Sequence, residues 1–321
     1  MIAFLARRLF GLVAVLFAIS VLVFVIFNVI PGGDPALRLA GRRPTQENIA
    51  QIRKAWGFDK PLPVQYLDMM KKLFTGKNFI SYQNQTPVLP AIARGIPRTL
   101  SVAIGAGVIW LFFGILLGVL SGVFQGRWVD RLLTVFALVG ISTPVFWLGA
   151  VMLYLLTFKY HHVGAFSWIP AGGYVGIRHP LAWAEHLFLP WMTLALVEIG
   201  FYSRVVRSSL LEARARDYVR TARAKGVPAW RVLTHHTLRN SLLPVITLFG
   251  LDFGATVGGT VILIEPVFGI EGIGQYAQES VAQLDLPPLI ALTLYGAFFV
   301  VVFNTLVDLI HPLLDPRVRV S

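Results

Sequence analysis

Two acidic side chains, Glu198 and Asp252, stand inside long apolar runs and are the first candidates for chemistry in this chain. A charge near the centre of a bilayer costs about 2.5–3.5 kcal/mol on insertion scales and is kept where it faces protein or water. Each acid therefore either pairs with a polar neighbour across a helix bundle or lines a pathway or gate, where it could relay protons. Asp308, close to the end of its apolar run, fits an interfacial position instead. A second candidate is Glu265–Gly274, in which Phe268, Gly269, Gly272 and Gly274 are interleaved with the acids Glu265 and Glu271. Glycine permits positive φ and close backbone approach, so this stretch can fold tightly against a pathway mouth. The third is a basic, alanine-rich segment, Arg204–Pro244, that carries 9 of the 28 Lys and Arg residues.

Other chemistries lack their residues. The seven histidines form no metal set, because His161 and His162 are adjacent rather than three or four apart and no carboxylate cluster accompanies them. With no cysteine there is neither a thiolate metal site nor a cysteine nucleophile. A phosphate-cradling Gly-x-x-x-x-Gly-Lys-Ser/Thr loop is missing, as are the Gly-x-Ser-x-Gly elbow and the His-Glu-x-x-His pair. A membrane-bound hydrolase would need one of these constellations. The sequence therefore predicts a non-catalytic chain that binds no cofactor of its own.

The elements that must position these residues are membrane spans. Charged residues make up 14% of the chain and cluster in a few stretches, leaving apolar runs of about 20 residues that suit a hydrocarbon core of about 30 Å. The pattern predicts an all-α polytopic membrane protein with six spans: Leu9–Ile30, Thr99–Phe124, Leu132–Phe158, Leu187–Ser203, Ser241–Ile264 and Leu289–Ile310. The fourth is the weakest, interrupted by Pro190 and Glu198. The apolar run after Arg7 and Arg8 is too long for a signal-peptide core and is not followed by a cleavage site, so it reads as the first span. Three regions follow: residues 1–30, a long loop lobe 31–97, and a five-span core 98–321 that contains the basic segment 204–240.

The net charge of +12 reports topology rather than nucleic-acid binding. Arg7 and Arg8, the turn with Arg127 and Arg131, segment 204–240 and the tail with Arg317 and Arg319 alternate with the other loops, which puts all four and both termini in the cytoplasm. Loop Glu265–Pro288, with four acids and no Lys or Arg, then lies outside. The basic loop Pro31–Pro97 is also outside, since long loops translocate largely regardless of charge. Within it, Thr45 is an expected N-cap of a helix ending at Trp56-Gly57, and Pro63 an expected start of another whose Tyr66, Met69 or Met70, and Leu73 share a face. This outer lobe serves as a lid over the span ends or as a docking surface.

The basic segment reads as helix, short helix, helix. Asp217 is placed as an N-cap, Tyr218–Lys225 as two turns, Gly226 and Pro228 as the stop, and Trp230–Asn240 as the third helix. Leu211, Ala215, Tyr218 and Ala222 recur at helical spacing and predict a narrow stripe opposite many of the arginines. Such a segment can lie on anionic lipid, where each basic residue is worth roughly 1 kcal/mol. The small residues Ala222 and Ala224 favour the other use, a helix seated in a partner's cleft.

The run Tyr218-Val-Arg-Thr-Ala-Arg-Ala-Lys-Gly226 followed by Arg239-Asn-Ser-Leu-Leu-Pro244 resembles the cytoplasmic coupling loop of permease subunits of dipeptide/oligopeptide ABC importers, of the DppB/OppB type. Phe27-Asn-Val-Ile-Pro-Gly-Gly-Asp-Pro35, Pro97-Arg-Thr-Leu100, Ser142-Thr-Pro-Val-Phe-Trp147 and Glu265-Pro-Val-Phe-Gly-Ile-Glu-Gly-Ile-Gly274 extend the likeness over nearly the whole chain. Arg220-Thr221-Ala222 stands where general importer permeases carry Glu-Ala-Ala, Glu271 where the family usually has proline, and Gly32-Gly33 where one glycine is common.

The resemblance implies a type I importer permease fold in a bacterial or archaeal cell membrane. It implies a second homologous permease subunit, two ATPase subunits or one fused ATPase that hold the ATP and magnesium, and an extracytoplasmic substrate-binding protein. Asp217, Tyr218, Arg220, Thr221, Ala222, Arg223, Ala224, Lys225 and Gly226 are then the ATPase contact, and the Glu265–Gly274 loop part of the outer gate or the binding-protein contact. Peptides, nickel complexes, glutathione, haem and short sugars are all family substrates, peptides the commonest. The competing reading is an ion-coupled secondary transporter working through Glu198 and Asp252, for which no inverted repeat is visible.

Overall fold

The computed structural model describes residues 2–29, 35–40 and 45–314. Most of the Phe27–Pro35 motif, including Gly32-Gly33, and the basic tail with Arg317 and Arg319 lie outside the described residues, as do the side chains of Arg8 and Asp308. The fold is all-helical. Its helices are α1 (Ile2–Val29), α2 (Pro35–Leu39), α3 (Gln46–Trp56), α4 (Leu62–Thr75), α5 (Val88–Val123), α6 (Trp128–Ser142) and α7 (Val145–Leu153). These are followed by α8 (Pro180–Ala215), α9 (Asp217–Ala224), α10 (Ala229–Arg231), α11 (Arg239–Ser241), α12 (Leu243–Ala255), α13 (Val261–Ile264), α14 (Ile273–Gln283) and α15 (Leu286–Leu314). Short π-helical stretches join α10 to α11 and α12 to α13 and extend α7 to Lys159.

Among the described residues four helical stretches are long and apolar enough to cross a membrane, and a fifth is added if α6 and α7 count as one bent span. The expected third span is therefore not one rod: α6 and α7 meet at an angle of 100°. Pro144 disfavours helical backbone in the residue before it, and Thr143 is accordingly extended (φ −93°, ψ 124°). The expected fourth span is the middle of α8, which runs unbroken through Pro190 and on to Ala215. What reads in sequence as the first helix of the basic segment is the far end of that same rod.

Two helix pairs are zipped by small residues. On α5, Gly114, Gly118 and Gly122 recur every four residues and lie against Tyr202, Val206 and Leu210 of α8. A Cβ at each would fall 2.6–2.7 Å from those side chains. On the other pair, Gly250, Gly254 and Gly258 meet Val307, Phe303 and Gly296 of α15 in the same fashion. Close backbone approach at small residues is the packing available to helices in lipid, where hydrophobic burial drives little association.

Between residues 45 and 97 the two expected helices form, as α3 and α4. Thr45 accepts a hydrogen bond from the Asn48 N–H at 3.2 Å, and Gly57 ends α3 at φ +75°. Tyr66, Met69, Met70 and Leu73 of α4 pack with Val23 and Phe24 of α1 and with Phe79. The lobe is tied down by Asp285, buried just before α15, which accepts hydrogen bonds from the Ser81 hydroxyl and, at 2.9 Å, from the Tyr82 N–H.

Candidate functional site

Only Arg216 separates α8 from α9, so the short helix is a direct continuation of a 36-residue rod that has turned a corner. Its N-cap is Arg216, one residue before the expected Asp217. Asp217 occupies the first helical position, where its charge favours the helix dipole, and lies 3.8 Å from Arg220 at the surface. The C-terminus is a full Schellman closure. The Val227 N–H donates to the Ala222 carbonyl at 3.2 Å, the Gly226 N–H donates to the Arg223 carbonyl at 2.9 Å, and Gly226 is left-handed at φ +73°. A Cβ on Gly226 would meet nothing within 4 Å, so glycine is required there by backbone conformation and not by crowding.

The inward stripe differs from the expected one. Val219 and Ala222 are buried against Val232 and Val227, whereas Ala215 is exposed and Tyr218 is 40% exposed. The turn at Arg216 breaks the helical register, so spacing counted across it does not place residues on one face. Ala222 therefore packs within the segment instead of facing a partner's cleft, and enlarging it would disturb α9 against the third helix. That third helix starts at Ala229 and is π-helical over Val232–Leu238, with the Thr237 hydroxyl bonding back to the Val232 carbonyl at 3.0 Å. The face left outward carries Tyr218, Arg220, Thr221, Arg223, Ala224 and Lys225.

At the other end of the rods, the Glu265–Gly274 segment closes into a knot around one carboxylate. Glu265 is fully buried. Its Oε1 accepts from the Thr99 hydroxyl at 2.5 Å, and its Oε2 accepts from the N–H groups of Gly274 at 2.6 Å and Gln275 at 3.2 Å, in the first turn of α14. Burial outweighs these donors and pushes the Glu265 carboxyl up to about 7. Gly272 and Gly274 are needed for contact: a Cβ on the first would lie 2.3 Å from Glu265 Oε1, and on the second 2.5 Å from the Val261 carbonyl. Gly269 takes φ +61° in open space, and the carbonyl of buried Phe268 accepts from the Gly173 N–H at 2.8 Å. Glu271 points outward and pairs with Arg98 at 3.0 Å.

Glu198 and Asp252 do not join that knot. Asp252 on α12 accepts a hydrogen bond from the Tyr202 hydroxyl on α8 at 2.8 Å, the cross-bundle pairing expected of an acid in an apolar span. Glu198 lies one turn before Tyr202 on α8, half-buried, with no hydrogen-bond partner among the described residues. No group of three or more metal-ligating side chains occurs among the described residues.

One polar cluster escaped the sequence reading. Asp130, buried in the first turn of α6, takes a two-pronged contact from Arg207 of α8, Nε to Oδ1 at 2.7 Å and Nη2 to Oδ2 at 2.8 Å. The Ser121 hydroxyl (2.5 Å) and the Gly126 N–H (2.9 Å) complete its shell. Arg214 adds a bond to the Gly122 carbonyl at 2.7 Å. The cluster's only sequence signal is Arg207 within the basic segment, whose charge the positive-inside pattern already explains.

The described helices thus combine stretches long and apolar enough to cross a membrane with a short, exposed, glycine-stopped helix between them. The family profile described as "Binding-protein-dependent transport system inner membrane component" matches residues 114–320, its N-terminal companion matches residues 1–103, and the chain belongs to that family. It is thus a multi-pass membrane subunit of an importer. Similar full-length proteins include the "Probable D,D-dipeptide transport system permease protein DdpB" of Escherichia coli K12, 37% identical, with 98% of this chain and 96% of the relative covered. The "Glutathione transport system permease protein GsiC" of Salmonella typhimurium is 33% identical, with 99% of each covered. The "Probable peptide ABC transporter permease protein" of Sinorhizobium fredii is 34% identical, with 98% and 99% covered.

Proposed function

We propose that this chain is one of two homologous permease subunits of an ATP-driven importer of di- or oligopeptides, and that α9 is its contact with the ATPase. The carrying observation is the geometry of α9: a two-turn helix closed by a left-handed glycine, anchored by Val219 and Ala222, with Tyr218 and three cations, Arg220, Arg223 and Lys225, turned outward. Force applied to that face passes through one residue into α8. In the membrane the chain would cross six times, with α6–α7 as the bent third span and the middle of α8 as the fourth. Both termini and segment 204–240 are placed in the cytoplasm, and lobe 31–97 and the Glu265 knot outside, where they face the binding protein. ATP and magnesium belong to the ATPase partners. The peptide assignment rests on the names of the relatives.

The test is uptake by the complete importer in proteoliposomes. Uptake of a labelled dipeptide should require ATP and persist without a proton gradient, and Gly226→Pro should abolish it while the binding protein still captures the peptide. Proline fixes φ near −65° and removes the N–H that bonds Arg223, so the turn cannot form. Normal uptake by the Gly226→Pro importer would overturn the docking assignment. Proton-driven uptake without ATP would transfer the function to Glu198 and Asp252.

A further inference from the structure

Resting on the docking reading above, the cluster around Asp130 acquires a role that stability alone does not give it. The small-residue contact between α5 and α8 ends where Gly122 meets Leu210, six residues before the break into α9 at Arg216. Beyond that point no glycine contact holds the α5–α6 turn itself to α8. Instead Asp130 is held at four points, by both prongs of Arg207, by Ser121 from the last turn of α5 and by the backbone of Gly126. Arg214, one residue before the end of α8, reaches across to the Gly122 carbonyl. Three helices meet at one carboxylate within ten residues of the lever.

We infer that Asp130 and Arg207 are positioning residues for transport: their clamp makes the α5–α6 turn and the inner end of α8 one rigid body, so that a displacement of α9 moves α5, α6 and α8 together. A monodentate or absent clamp would let the last turns of α8 bend away from the α5–α6 turn when α9 moves, while the glycine contacts farther along keep α5 on α8. ATP would then be hydrolysed with less substrate moved.

The chain has no cysteine, so introduced cysteines can be labelled site-specifically in the complete importer. Spin labels at Gln125→Cys on the turn and Glu212→Cys on α8 report the two sides of the clamp. With the clamp intact their separation should be the same in nucleotide-free and ATP-trapped importer, while Tyr218→Cys on α9 changes its distance to a label at Glu279→Cys. In Arg207→Leu the Gln125–Glu212 separation should shift or broaden with ATP. Dipeptide moved per ATP hydrolysed should fall about tenfold, within the range of coupling between distant sites. Arg207→Lys, which keeps the charge and one prong, should recover part of it.

An unchanged transport-to-ATP ratio in Arg207→Leu would overturn the clamp. So would a Gln125–Glu212 distance that already changes with ATP when Arg207 is present, a measurement that needs no clamp variant to assemble. If the Tyr218–Glu279 distance never responds to ATP, the docking reading falls and the clamp's role falls with it.

Discussion

Helix α5 hands a hydroxyl to a buried carboxylate at two levels, from Thr99 to Glu265 and, in its last turn, from Ser121 to Asp130, and the two carboxylates are satisfied in opposite ways. The 22 residue steps from Thr99 to Ser121 span ~33 Å at a rise of 1.5 Å per residue. Asp130 is matched by a guanidinium in fixed bidentate geometry. Glu265 is held only by neutral donors, two of them backbone N–H groups at the start of α14. The Asp130 end is thus locked by charge, whereas the Glu265 end is held by neutral dipoles, with burial pushing its carboxyl up to about 7. A lock suits a joint that must transmit force, and a dipole-held knot suits a mouth that must reshape.

Substitutions can break or sharpen that contrast. Arg207→Leu leaves Asp130 buried without its cation and should cost about 3–5 kcal/mol, read as loss of unfolding free energy in detergent. Glu265→Gln keeps shape and loses no cation, so it should cost about 1–3 kcal/mol, and equal costs would erase the distinction. Gly272→Ala forces a methyl onto the Glu265 carboxylate and should cost about 1–3 kcal/mol by overpacking, seen in the same unfolding curves.

Thr99→Val removes the donor to Glu265 and also the acceptor of the Ile273 N–H at 2.9 Å. Leaving that N–H unpaired should cost about 1–3 kcal/mol, and the Glu265 carboxyl should titrate still higher, visible by infrared carboxyl absorption. Gly226→Ala strains a left-handed residue with no clash and should cost about 1–2 kcal/mol, with transport retained where Gly226→Pro loses it.

The pH dependence of the Glu265 knot sharpens the contrast further. Glu265 is raised from 4.5 to about 7 in the fold, so its protonation favours the native state. That contribution is complete below 4.5 and is lost as pH rises through 7. Thermal stability of the importer should therefore decline from pH 5 to 8 more steeply than that of Glu265→Gln, and parallel profiles would remove Glu265 as the titrating group.

Much of this was legible in residue order because local rules governed it. Thr45 and Gly57 bound α3 as expected, Gly226 closes α9, and the glycines of Glu265–Gly274 mark tight backbone contact. What the sequence concealed depended on a bend or on distance. The one-residue break at Arg216 turned Tyr218 outward and Ala222 inward, and Thr143-Pro144 split an apolar run that composition reads as continuous. Asp130 and Arg207 are 77 residues apart, and nothing in the spacing of either pairs them. The buried acid Glu265 looked like one of several loop acids until Thr99 and α14 closed over it.

The docking of α9 is tested most directly by a photo-activated cross-linker installed at Tyr218 in the assembled importer. An adduct with the ATPase subunit, weakened when Gly226→Pro is introduced alongside, is the outcome expected here. Capture of lipid alone, with the ATPase left unmodified while the importer still transports, would contradict it.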